Sequence, residues 1–259
     1  MINKIIPILL SLVFVITASG ESMSQGGNKN IITQKGDNNT ATIEQSGSNG
    51  YAYIEQLGNH NAVSQSQDGV ANWACVRQVG NNNIFSQNQE GFVNKTWVEQ
   101  HGCGNIISQT QSGAWNETRI SQLFCENEIR LEQYAECGFN GTDVWQAGWE
   151  NKLVGAKSDG TFSGTEIDDT QSAAQVSSSY NQLSLKQYGF NNTVGLYQEA
   201  SGFNKADIQQ YNGNNELVIY QENTSGSNYV KALQYGEQSA KVYQSGRVGA
   251  GIINIIQGP

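Results

Sequence analysis

The sequence predicts an all-β protein: a β-solenoid of about nine two-stranded coils, with a 22-residue period built from two 11-residue half-repeats. Three observations lead there. Gln34, Gln45, Gln56, Gln67, Gln78, Gln89, Gln100, Gln111, Gln122 and Gln133 follow one another at a constant step of 11. Asn28, Asn39, Asn61, Asn72, Asn83, Asn94, Asn105, Asn116 and Asn127 stand six residues before most of these, with Gly50 as the exception. Between each Asn and its Gln the residues alternate. Asn94, Thr96, Val98 and Gln100 form one set and Lys95, Trp97 and Glu99 the other, the period of two that marks a strand with distinct faces.

Taken in order, residues 1–20 read as a secretory signal peptide. Lys4 supplies the positive start, Ile5 to Thr17 is an apolar run broken by Pro7 and Ser11, and Ala18, Ser19 and Gly20 are small. The run is short for a membrane span, which needs about 20 apolar residues. Residues 21–27 form a short polar segment. Residues 28–157 carry the regular repeats, residues 158–180 are a Ser-, Asp- and Thr-rich stretch, and residues 181–259 resume the pattern with looser spacing. The stretch 158–180 reads equally as a surface loop or a degenerate coil. Counting every segment that ends the pattern, including Asn151–Lys157 and the last two without a leading Asn, there are 19.

The consensus is Asn-x-φ-x-φ-x-Gln-x-Gly-x-x, with φ often apolar. Gly36, Gly47, Gly58, Gly69, Gly80, Gly91, Gly102 and Gly113 fall two places after the Gln and suit a backbone reversal. A helix with an 11-residue period would be the rival reading. It would carry these glycines in its interior at about 1 kcal/mol each, and it leaves the alternation unexplained. Disorder, which the amide-rich composition alone would suggest, does not hold a fixed register over so long a stretch. A second rhythm of 22 overlies the first: Ser64-Gln65, Ser86-Gln87 and Ser108-Gln109 recur in one set of segments, and Tyr53-Ile54, Cys75-Val76, Trp97-Val98 and Arg119-Ile120 in the other.

Each strand is therefore expected to lie on the strand 22 residues away, at about 4.8 Å. Ala41, Val63, Phe85, Ile107 and Ile129 form one inward column, and Ile54, Val76, Val98 and Ile120 another. The Asn and Gln columns flank them on the same face. A buried amide without partners is costly, but identical stacked amides can donate and accept along the stack as a ladder. That role falls to Asn39, Gln45, Gln56, Asn61, Gln67, Asn72, Gln78, Asn83, Gln89, Asn94, Gln100, Asn105, Gln111, Asn116, Gln122, Asn127 and Gln133. Outward, Glu55, Arg77 and Glu99 alternate in sign, and Tyr51 and Trp73 stand in position to stack.

The run Gln34-Lys-Gly36-Asp-Asn-Asn39-Thr-Ala41-Thr-Ile-Glu-Gln45, like Gln56-Leu-Gly58-Asn-His-Asn61-Ala-Val-Ser-Gln-Ser-Gln67, resembles the curlin repeat. The resemblance covers nearly all of the chain after residue 27. It implies an exported subunit of curli, the amyloid fibres of bacterial biofilm matrix, with self-association into fibres, a nucleator or major subunit as partner, and an outer-membrane curli secretion pore. The implied location is extracellular, on a cell-surface fibre. This chain departs from the best-known curlins in its larger number of repeats, in Asn where those often have Ser, in its short polar segment and in its four cysteines.

The remaining chemistry is sparse. A net charge of −9 argues against a nucleic-acid partner, and no glycine motif for phosphates or dinucleotides occurs. His60 and His101, both placed in turns, have no nucleophile-and-acid set beside them. Glu166, Asp168 and Asp169 lack a calcium-binding repeat around them. No catalytic residue, metal, cofactor or small-molecule substrate is assigned. Cys103 and Cys125 lie 22 residues apart at the same corner, a separation along the stack that a disulfide spans. Cys75 points outward and Cys137 falls at the opposite corner, and the four lack the paired spacing of a zinc site. The last segment, with Ile252, Ile253, Ile255 and Ile256, is apolar, β-branched and uncapped, and is expected to be a polymerisation edge. The alternatives are a monomeric solenoid adhesin or ice- or ligand-binding surface protein, and an enzyme on a parallel β-helix, for which clustered carboxylates are missing.

Overall fold

The fold follows from the 22-residue rhythm. In the computed structural model, described here for residues 27–136, 138–157, 166–168, 172–177, 180–200, 202–223, 226–246 and 250–258, successive segments alternate between two facing sheets. The expected signal peptide, most of the polar segment 21–27, Cys137, Asp169 and much of 158–180 lie outside the described residues. No helix forms among the described residues, so none there is long and apolar enough to cross a membrane.

Numbering strands in chain order, the first sheet stacks β1 (Lys29–Lys35), β3 (Tyr51–Leu57), β5 (Trp73–Asn81), β7 (Lys95–Cys103), β9 (Glu117–Cys125), β11 (Phe139–Trp149), β15 (Tyr180–Phe190), β17 (Phe203–Gly213), β19 (Ser227–Tyr235) and β21 (Ala250–Gln257). The second contains β2 (Thr40–Ser48), β4 (Ala62–Val70), β6 (Ile84–Phe92), β8 (Ile106–Ala114), β10 (Glu128–Ala135), β12 (Lys152–Lys157), β13 (Glu166–Asp168), β14 (Ala173–Ser177), β16 (Thr193–Ala200), β18 (Glu216–Asn223) and β20 (Ser239–Gly246). All pairs are parallel except β12 with β13. Register is strict: Gln56 pairs Gln78, which pairs Gln100. A one-residue slip would turn every apolar side chain outward, so burial of one face holds it.

The core is the space between the sheets. Ala41, Val63, Phe85, Ile107 and Ile129 are buried in one column and Ile54, Val76, Val98 and Ile120 in another. Leu183, Leu185, Ile208, Leu217 and Ile219 continue the core toward the C-terminal end.

The corners explain the glycines. Gly58 has φ of 118° and Gly80 of 116°, and a Cβ on Gly58 would fall on the carbonyl oxygen of Gly80 one coil away. Both the conformation and the approach of the two backbones therefore demand glycine. Where the consensus glycine is replaced by Phe124, the backbone still takes φ of 72°, a conformation costing a non-glycine residue about 1–2 kcal/mol. The Phe124 ring lies outside the stack, against Trp149 at 5.4 Å between centroids.

The irregular stretch is accommodated inside a single rung. β12 enters the second sheet normally, with Lys152 and Leu153 between Glu128 and Ile129 on one side and Thr193 and Val194 on the other. The chain then leaves, β13 runs back antiparallel to the end of β12, and β14 completes the same rung, with Gln175 between Gln133 and Gln198. Ala173–Ser177, placed by the sequence within 158–180, thus belong to the stack. Val154 and Val218, at positions that face outward in other coils, are fully buried here.

Candidate functional site: amide ladders and open strand edges

Positions 1, 3, 5 and 7 of each segment point inward, and the amides occupy the two outermost. On the first sheet one glutamine ladder runs without a break from Gln34 through Gln56, Gln78, Gln100, Gln122, Gln146, Gln187, Gln210 and Gln234 to Gln257. Each Nε2 donates to the next Oε1 at 2.6–3.0 Å. On the second sheet the ladder runs from Gln45 through Gln67, Gln89, Gln111, Gln133, Gln175, Gln198 and Gln221 to Gln244. Many of these Nε2 groups use their second N–H on a backbone carbonyl of the facing sheet, as Gln56 does on Thr40 and Gln78 on Ala62. Both N–H groups are then satisfied at nearly complete burial, which removes the cost of placing an amide there.

The asparagines stack with the opposite polarity. Asn61 Nδ2 donates back to Asn39 Oδ1 at 3.1 Å, and the same link repeats at Asn83, Asn105, Asn127, Asn151, Asn192 and Asn215. Each of these Oδ1 atoms also accepts the backbone N–H of the next Asn, as Asn39 does from Asn61 at 3.0 Å. On the other corner the ladder includes Asn72, Asn94, Asn116 and Asn140, then stops. Asn140 Nδ2 still donates to Asn116 Oδ1 and to the Tyr134 carbonyl, but Asn181 Nδ2 donates to the Val176 carbonyl instead of to Asn140, so the Oδ1 atoms of Asn140 and Asn181 are buried with no partner among the described residues.

Two features were missed from the sequence. Gln175 takes the ladder position that the segment Asn151–Lys157 would have given to Lys157. Its signal is a spacing of 12 before Gln187, the same as from Gln198 to Gln210. Gln65, Gln87 and Gln109 occupy position 5 of their strands and are buried in the core, in the column that holds Ile43 and Leu131 elsewhere. They form no ladder with one another. Gln87 and Gln109 donate to Thr96 Oγ1 at 2.7 and 3.1 Å, whereas both polar atoms of the Gln65 amide are buried and unpartnered.

At the corner between the sheets Cys103 and Cys125 are joined by a disulfide, with Cα atoms 4.6 Å apart. Cys75 is a free thiol, half-buried on the outer face. Burial, then Glu99 and Glu55 nearby, push it up to about 11. Arg77 Nε lies 3.1 Å from Glu55 Oε2, a part-exposed pair worth at most about 1 kcal/mol. Tyr51, Trp73 and Trp97 stack along the outside at 5.9 and 5.8 Å, and Tyr197, Tyr220 and Tyr243 do so at 4.7 and 5.5 Å. His60 stands in a corner, with φ of 57°, but His101 lies inside β7 rather than in a turn, because that strand continues to Cys103. No group of His, Cys, Asp and Glu among the described residues is arranged to hold a metal ion.

Among the described residues, both ends of the stack are open. β1 and β2 pair on one side only, as do β20 and β21. On β21, Ile253 and Ile255 pack toward the core while Ile252 and Ile256 are 67 and 79 % exposed. Gln45 Oε1, the first acceptor of its ladder, is buried without a donor.

A family model described as the curlin associated repeat matches residues 28–58 and 36–69. Residues 28–69 carry the curlin repeat. The match covers the first two coils, and beyond it the glutamine ladder of the first sheet continues to Gln257. No curated protein and no solved structure gives a significant match. The curlin repeat and the two-sheet stack together fit a curli-type structural subunit.

Proposed function

We propose that the protein is a secreted structural subunit that polymerises into curli-like fibres of the biofilm matrix, serving adhesion and aggregation. The observation that carries this reading is the pair of open ends: parallel strands with unpaired edges, and glutamine ladders that stop with unused donors at one end and unused acceptors at the other. An exposed edge of this kind is a template for further strands, and added copies extend a cross-β stack without new chemistry. The partners of such a subunit are further copies of itself, a nucleating or major curlin-type subunit, and an outer-membrane secretion pore. Delivery through that pore places it outside the cell.

The test is assembly of the purified chain from Glu21 to Pro259. Fibres with a meridional spacing of ~4.8 Å are expected. A monomer that stays soluble and dye-negative for days at micromolar concentration would refute the proposal. Ice binding has less support, because the outward column Thr42, Ser64, Ser86 and Ser108 gives way to Arg130.

A further inference from the structure

The two sheets do not hold equal numbers of rungs. The first has ten, and the second has nine once β12 and β14 are taken as one rung and β13 is set aside. The described stack therefore starts on β1 and finishes on β21 in the same sheet. Both sheets use the same seven-position pattern, so advancing by one half-coil is equivalent to a half-turn about the stack axis.

We propose that consecutive subunits in the fibre join end to end with a half-turn between them, so that β1 of the incoming copy pairs with β20 and its β2 with β21. This rests on the fibre reading above and specifies its joint. Without the half-turn, β1 would pair with β21, and a vacant rung would remain between β20 and β2 in the second sheet. That vacancy would bury two rows of unpaired backbone N–H and C=O groups, each a desolvation cost. The half-turn leaves no vacancy.

The side chains favour the same joint. Position by position, the half-turn sets Val242 against Ile32, Ile253 against Ala41 and Ile255 against Ile43, and the small Ala240 against Asn30. The unrotated joint sets Ile253 against Asn30, an isoleucine against an inward amide. The ladders agree as well. Among the described residues, Gln257 Nε2 gives one N–H to the Ser239 carbonyl at 3.2 Å and no partner takes the other, and Gln244 Nε2 has no acceptor. The half-turn brings Gln257 to Gln45, whose Oε1 is buried and lacks a donor, and Gln244 to Gln34. The unrotated joint joins Gln257 to Gln34 and leaves Gln244 and Gln45 facing an empty rung.

Cross-linking decides between the joints. In a Cys75→Ser background, Thr33→Cys is combined either with Tyr243→Cys or with Ile256→Cys, all at the outward position 6 of their strands. The half-turn places Thr33 beside Tyr243, about 4.8 Å away, and the unrotated joint places it beside Ile256. Assembled fibres are treated with a short bifunctional thiol reagent, dissolved and run on a non-reducing gel, with Thr33→Cys alone as control for Cys137. A ladder of linked multimers from the Thr33→Cys/Tyr243→Cys chain, and only background from the other, is expected. Linkage through Ile256→Cys instead, or through neither pair in fibres that form normally, overturns the half-turn joint while leaving the fibre reading intact. Failure of the parent chain to form fibres overturns both.

Discussion

Breaking a glutamine ladder should cost the same whether one glutamine is removed or two neighbours are. Gln100 is fully buried. Its Oε1 accepts from Gln78 at 2.8 Å and its Nε2 donates to Gln122 at 3.0 Å. Replacing Gln100 by Leu leaves two ladder groups without partners, the Gln78 N–H and the Gln122 Oε1. At about 1–3 kcal/mol for each buried unsatisfied group, the variant should lose about 2–6 kcal/mol. Gln122→Leu breaks the links to Gln100 and Gln146 and belongs in the same range. The double variant again leaves only two loose ends, at Gln78 and Gln146. Its cost should match one single variant rather than the sum, a coupling of about 2 kcal/mol or more between adjacent sites. The assay is urea unfolding of freshly refolded monomer, with the midpoint read at unchanged slope. Strict additivity of the two single effects would show that the ladder is not a connected network and would refute the reasoning.

Four further outcomes follow from the same structure. Gln65→Leu should stabilise the monomer by about 1–3 kcal/mol, because it replaces an unpartnered buried amide by the kind of residue found at Ile43 and Leu131; a lowered urea midpoint would show that the amide is satisfied after all. Cys103→Ser should cost about 3 kcal/mol, the chain-entropy value for a closed loop of this length, and reductant should cost the parent chain the same amount. Cys75 should react with iodoacetamide far more slowly at pH 8 than a free thiol, with a rate still rising toward pH 11, because its raised pKa keeps the thiolate scarce; a rate that levels near pH 9 contradicts this. Removing Gly251 to Gln257 should slow fibre growth, since it takes away β21 and one end of a ladder, and unchanged kinetics would dismiss that edge as a growth site.

Most of the fold was legible because each coil repeats the same chemistry. The step of 11 located Gln56, Gln78 and Gln100 in one column, and the period of 22 located Ile54 on Val76 and Cys103 over Cys125. What escaped depends on interactions that leave no periodic trace. The split rung hides because β12 and β14 are pinned independently by β10 and β16, so an excursion between them costs the ladder nothing and Gln175 appears out of phase. Phe124 takes a glycine's conformation because the coils on either side hold its backbone. The failure of the asparagine ladder beyond Asn140 depends on side-chain rotation, which spacing cannot report. Gln65, Gln87 and Gln109 obey the alternation, yet nothing in their spacing tells that the amides stand opposite Thr96 rather than one another.

The opposed polarity of the ladders bears on length. In both glutamine ladders the N–H that links one amide to the next points toward the C-terminal end, and in the asparagine ladders the linking N–H points back. A column of aligned amides would otherwise accumulate a dipole in proportion to its height, as a helix does. Here neighbouring columns offset one another, most fully over the first coils, where both asparagine ladders run. Within the stack the amide columns therefore contribute little net dipole along its axis, and its two ends differ less in charge than the height of any one column would make them.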